Sequence, residues 1–132
     1  MPLRVGLDLV SVRDVQQALA EHGEHYLRRV YTPAEVADCR SGAGLAAERL
    51  AGRFAAKEAA IKVLRDGVPW PLVEVVRDPS GWVGLALHGV ARERAQQCGI
   101  TSVTLSLTHE SGFAAAVVVA ELIDAGGTRA PW

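Results

Sequence analysis

The stretch Arg49–Leu64, RLAGRFAAKEAAIKVL, constrains the fold more than any other part of the chain. Turned at about a hundred degrees per residue, Leu50, Phe54, Ile61 and Leu64 form one apolar stripe. Ala51, Ala55, Ala56, Ala59 and Ala60 fill most of the remaining circumference, so the helix has no broad polar face and must be packed on several sides. It nevertheless carries Arg53, Lys57, Glu58 and Lys62, with Arg53/Lys57 and Glu58/Lys62 spaced one helical turn apart on the flanks of the stripe. Charges in so apolar a helix need partners or a metal. The plainest alternative is an ordinary helix with salt bridges of about 0.3–0.5 kcal/mol each.

A second feature bears on that choice. Val5-Gly6-Leu7-Asp8-Leu9-Val10 reads as a strand in which Asp8 is the only acid. Mg2+ is usually held by one or two carboxylates together with substrate phosphates and waters, and Asp8 and Glu58 supply such a pair. The competing reading is a strand acid and a helix salt bridge.

Along the chain, Ser11 is a plausible N-cap for a helix over Val12, Val15, Ala18 and Leu19 that Gly23 closes. Thr32-Pro33-Ala34-Glu35 composes a capping box for a short helix reaching about Arg40. Ser41–Gly44 is a loop, and the long helix runs from about Leu45 to Arg65, stopped by Asp66-Gly67. Leu72–Arg77 and Trp82–His88 flank the turn Asp78-Pro79-Ser80-Gly81 as a hairpin, and Val90–Gln97 is a short helix. Ile100–Leu107 and Phe113–Leu122 are the last strands; Ala114–Val119 is expected to be central and buried on both faces. The pattern is α+β, five strands around one long helix.

The chain has 132 residues and 49% hydrophobic content, enough for a single domain over residues 1–123. The polar tail 124–132 is expected to be disordered. A net charge of -1 and a pI near 6.4 leave no global basic field, which argues against nucleic acid as a partner. Cys39 and Cys98 lack metal-ligand spacing and read as free thiols of a reducing compartment. Without a basic-then-apolar leader or an apolar run long enough to span a membrane, a cytoplasmic protein with no membrane partner is expected.

GLDLVSV with Asp8, RFAAKEAAIKVL with Glu58 and Lys62, and SLTHE with His109 together resemble the holo-acyl-carrier-protein synthases, the AcpS type of 4'-phosphopantetheinyl transferase. The resemblance runs to about Leu122. It implies a five-stranded, mostly antiparallel sheet around the long helix. The implied activity is transfer of the phosphopantetheine arm of coenzyme A to a serine of apo acyl carrier protein, releasing 3',5'-ADP. By the same resemblance Asp8 and Glu58 hold Mg2+, and Lys62 meets a phosphate oxygen as charge builds on the leaving group. Arg53 and Lys57 would neutralise the coenzyme A phosphates, with a solvated face as the alternative for one of them, and His109 would donate to a phosphate. Glu35 matches an acidic position and is a candidate base for the serine, although the capping box explains it equally well. Arg13, Arg28 and Arg29 are the cations available to greet an acidic carrier.

The resemblance further implies a homotrimer with active sites between subunits, in which part of the alanine-rich helix would face another chain. Two departures stand out. Gly81-Trp82-Val83 replaces the glycine, basic residue and proline of many relatives, and the first helix is poor in cations, which leaves fatty-acid and polyketide carriers both open. The rival function is a non-catalytic regulatory or assembly subunit that binds coenzyme A or a similar diphosphate.

Overall fold

The computed structural model describes residues 2–123. Strand β1 (Leu3–Ser11) alternates strictly: Arg4, Gly6, Asp8 and Val10 face inward, while Leu3, Val5, Leu7 and Leu9 face out. Helix α1 (Val12–His22) buries Val12 and Val15 and ends at Gly23, whose positive φ of 51° glycine adopts without the strain a Cβ would bring. Ser11 sits at the N-cap, but its side chain makes no capping hydrogen bond. Helix α2 (Glu24–Val30), unassigned from sequence, buries only Leu27 and Val30, too few positions to announce a period.

Helix α3 (Pro33–Asp38) carries the expected capping box between Thr32 and Glu35. The expected loop after it contains a minimal ribbon, β2 (Arg40–Ser41) with β3 (Gly44–Leu45). Helix α4 (Ala47–Leu64) is the long helix, terminated by Arg65 in the left-handed region with its N–H donating to the Ile61 carbonyl. A 3-10 turn (Trp70–Leu72) leads into the hairpin of β4 (Val73–Arg77) and β5 (Val83–Leu87). Helix α5 (Gly89–Cys98), β6 (Ile100–Glu110) and β7 (Phe113–Leu122) complete the described chain.

The α+β class holds, but the five-stranded sheet does not. The main sheet has three antiparallel strands in the order β1-β7-β6, and β4–β5 is a separate ribbon. Strand β5 runs beside β6 yet gives its ladder hydrogen bonds to β4, and a cavity lined by Val83 on one side and Leu105 and Leu107 on the other opens between them. Strand β7 is central as expected. It is not buried on both faces, however: Ala114, Ala116, Val118 and Ala120 are covered, whereas Ala115, Val117 and Val119 are only half-buried.

Helix α4 lies across β1 and β7 at a distance that only glycine permits. A Cβ on Gly6 would stand 1.9 Å from the Ala59 carbonyl oxygen, so β1 rests directly on the helix backbone. Arg4 secures the same contact, its Nη1 donating to the Val63 carbonyl at 3.0 Å. Much of the apolar circumference of α4 is thereby covered by its own chain, with Leu50, Ala55, Ala56, Ala59, Val63 and Leu64 buried and Phe54 and Ile61 half-buried. Packing within the chain thus accounts for most of the helix's apolar character. An exposed apolar row remains on the outer face of the sheet, where Leu3, Val5, Leu7 and Leu9 are 51–65% exposed. The expected disorder of 124–132 lies outside the described residues.

Candidate active site

Asp8 on β1 and Glu58 on α4 line one cleft, together with Asp14 and Phe54. The Gly6 contact sets their proximity, since it fixes β1 against the turn of α4 that carries Glu58. Lys62 does not pair with Glu58. It crosses to β1, where Nζ donates to the Leu7 carbonyl at 2.7 Å and to Asp8 Oδ1 at 3.2 Å. An ammonium has three N–H donors, so one remains, and Lys62 is 56% exposed. Among the described residues no group of three His, Cys, Asp or Glu side chains could hold an ion by itself. Two carboxylates with room beside them fit Mg2+, which takes its remaining oxygens from phosphates and water.

A second cavity of about 350 Å3 lies under the β4–β5 turn, lined by Arg49, Arg53, Arg77, Trp82 and His109. Arg53 is 3% exposed; its Nη2 lies 3.8 Å from Asp38 Oδ2, and neither Nε nor Nη2 has a hydrogen-bond partner. A buried guanidinium with open donors is costly unless an anion completes it. His109 stands at the rim, with Nδ1 3.4 Å from Glu48 Oε2. Arg53 and His109 thus share one cavity and Asp8 and Glu58 share another, while Lys62 is tied to Asp8 but faces the surface beside Arg4 and Arg65.

Glu35 and Lys57 belong to neither cavity. Both side chains are fully buried, with Lys57 Nζ 2.6 Å from Glu35 Oε1. Lys57 also donates to the Val73 carbonyl at 2.7 Å and the Trp70 carbonyl at 3.1 Å, which engages all three of its N–H groups. Glu35 accepts further hydrogen bonds from Thr32 N at 2.8 Å and Val75 N at 3.0 Å. Burial pushes the Lys57 pKa down and the Glu35 carboxylate counters it. Lys57 therefore has no donor for a phosphate, and Glu35 has no access to an incoming serine; both assignments are corrected to structural roles. The pair clamps α3 and α4 to β4.

A family model described as the 4'-phosphopantetheinyl transferase superfamily matches residues 4–118. The chain belongs to that superfamily. It is 42% identical over 125 residues to a holo-[acyl-carrier-protein] synthase of Koribacter versatilis, covering 92% of this chain and 99% of that one. A protein of the same name from Halorhodospira halophila is 43% identical over 119 residues, covering 87% and 94%. Among solved structures, the Helicobacter pylori holo-[acyl-carrier-protein] synthase in complex with coenzyme A matches with a TM-score of 0.78 at 27% identity, covering 89% of this chain and all of that one. An ACPS–coenzyme A complex from Chronobacterium ammoniagenes gives 0.81 at 29% identity, covering 94% and 100%.

On this phosphopantetheinyl transferase the arginines expected to meet a carrier are spread over two helices. Arg13 is exposed on α1, and Arg28 and Arg29 are exposed on α2. Arg28 also lines a groove between α2 and α3 with Leu27, Tyr31, Val36 and Arg40. Arg49 and Arg77 are the cavity residues that sequence reasoning passed over. Arg49 carried a signal, standing one helical turn before Arg53; Arg77, at the end of a strand, carried none.

Proposed function

We propose that this chain is a holo-[acyl-carrier-protein] synthase, moving the 4'-phosphopantetheine arm of coenzyme A onto a serine hydroxyl of an apo acyl carrier protein. The serine hydroxyl gives its proton to solvent water as its oxygen forms the new bond to the pantetheine-bearing phosphorus, the phosphoanhydride bond breaks, and 3',5'-ADP leaves with the electron pair. The observation that carries the reading is the placement of Asp8 and Glu58 on one cleft, with Lys62 bonded to Asp8, in a chain of this superfamily. Asp8 and Glu58 are the residues to hold Mg2+, which when bound neutralises pyrophosphate charge. Lys62 presents its remaining N–H to a phosphate oxygen, and Arg53 offers its open donors to another anionic group.

The separation of Asp8 and Glu58 from Arg53 and His109 supports a site shared between copies, each contributing one half. The exposed row Leu3, Val5, Leu7 and Leu9 supports a homotrimer assembled through the outer face of the sheet. Free Cys39 and Cys98 are in keeping with a cytoplasmic protein. Among the described residues no helix is long and apolar enough to cross a membrane.

Incubation with apo carrier protein, coenzyme A and Mg2+, followed by mass spectrometry of the carrier, tests the reading. We expect the carrier to gain phosphopantetheine and 3',5'-ADP to appear in equal amount. Binding of coenzyme A without any transfer, to fatty-acid or polyketide carriers alike, would favour the regulatory subunit instead.

A further inference from the structure

We infer that Trp82 sets nucleotide specificity by offering its indole face to the purine base of coenzyme A, an inference that rests on the proposed function. Trp82 is 78% exposed, the most exposed of the large hydrophobic side chains among the described residues. An indole left in water at a cavity mouth is poised to bury its area on a ligand.

The turn that carries Trp82 is held in place. Asp78 Oδ1 accepts from Ser80 N at 2.9 Å and Trp82 N at 3.2 Å, and from the Ser80 hydroxyl. Asp78 N in turn donates to the Trp82 carbonyl at 2.9 Å. These bonds draw the Asp78 pKa down, the Ser80 hydroxyl contributing most, and keep the carboxylate in its accepting form. Both backbone polar groups of Trp82 are therefore tied to one aspartate, so the backbone that carries the indole is ordered before a ligand binds.

The cavity beside it states what the ligand must be. Trp82 shares the walls with Arg49, Arg53, Arg77 and His109, and Arg53 has two buried N–H-bearing atoms without a partner. Such a site selects an anion that also carries a flat π-face. Within coenzyme A the pantetheine arm has neither property, whereas the phosphorylated adenosine has both. Trp70 is not free for this role, because its ring packs against Phe54 at 5.7 Å.

The test compares inhibition by 3',5'-ADP, which has the base, with inhibition by inorganic pyrophosphate, which lacks it, in wild type, Trp82→Ala and Trp82→Phe. For Trp82→Ala we expect the KM for coenzyme A and the Ki of 3',5'-ADP to rise roughly tenfold or more, with kcat and the pyrophosphate Ki changed less than about twofold. Trp82→Phe should recover most of the loss. Because stacking is little screened, the ratio between wild type and Trp82→Ala should persist at high salt. Equal weakening of pyrophosphate and 3',5'-ADP, or a rise confined to the KM for the carrier, overturns the inference. If wild type transfers nothing, the proposed function fails, and calorimetric titration of 3',5'-ADP into wild type and Trp82→Ala decides the stacking role by itself.

Discussion

Glu35 Oε1 stands 2.6 Å from Lys57 Nζ with neither side chain exposed to solvent, and that pair is the hub of a polar network through the core. Thr32 caps α3 onto Glu35 and donates its hydroxyl to Glu74 Oε2 at 2.7 Å, while Glu74 Oε1 lies 3.1 Å from His88 Nε2. Removing one member of a buried pair strands the other charge, which typically costs about 3–5 kcal/mol. Lys57→Met should therefore lower the melting temperature by roughly 10 °C or more. Turnover per folded molecule should change little. Circular dichroism melts checked against steady-state kinetics decide it: a variant of wild-type stability with a raised KM for coenzyme A would return Lys57 to the phosphates.

The network also predicts an acid-side slope in stability. The Thr32 hydroxyl, and after it His88, hold Glu74 below the usual carboxylate range, with burial opposing them. A carboxylate whose pKa is lower folded than unfolded contributes stability that is full above the unfolded value of about 4.3 and is lost as pH falls through the folded one. Glu74→Gln should thus be less stable than wild type near neutral pH, and the gap should narrow from about pH 6 down to about pH 3. Urea midpoints across that range measure it; a gap that stays constant with pH contradicts the assignment.

These interactions mark how far the sequence could be read. The capping box was legible because Thr32 and Glu35 are three residues apart and the chemistry is local. The second and third partners of Glu35 were not, since Lys57 and Val75 lie 22 and 40 residues away. Apolar strand-like runs and the turn signals between them located all five expected strands but carry no record of partner choice, which is why the β4–β5 ribbon was read into the main sheet. The resemblance picked out Asp8, Glu58 and Lys62. It could not show that Lys62 would leave Glu58, its neighbour one helical turn away, for Asp8 on another element.

Gly6 shows the same limit and yields a sharp prediction. Glycine inside a strand signals close backbone approach, but only the fold names Ala59 as what approaches. Gly6→Ala must push β1 off α4, costing about 1–3 kcal/mol by overpacking and widening the space between Asp8 and Glu58. We expect a lower denaturation midpoint together with a higher Mg2+ requirement for turnover, and a smaller change in the KM for coenzyme A. An unchanged Mg2+ requirement in a destabilised variant would separate the glycine from the carboxylate pair.

The division of the site between two cavities can be tested by complementation. Asp8 and Glu58 line one cleft and Arg53 and His109 another, so in a shared site each reaction centre draws its carboxylates from one copy and its cations from the next. Glu58→Gln keeps the shape of the side chain while removing its charge, and should cut the rate by roughly two orders of magnitude. His109→Ala damages only the other half. When the two variants are refolded together in equal amounts, about a quarter of the sites in a cyclic trimer combine an intact carboxylate half with an intact cationic half, so activity should return to roughly that fraction of wild type. Leu7→Asp places a charge in the exposed apolar row and should give an inactive monomer of unchanged circular dichroism, seen by light scattering. A fully active monomer, or a mixture no more active than its parents, would mean that one chain closes the site alone.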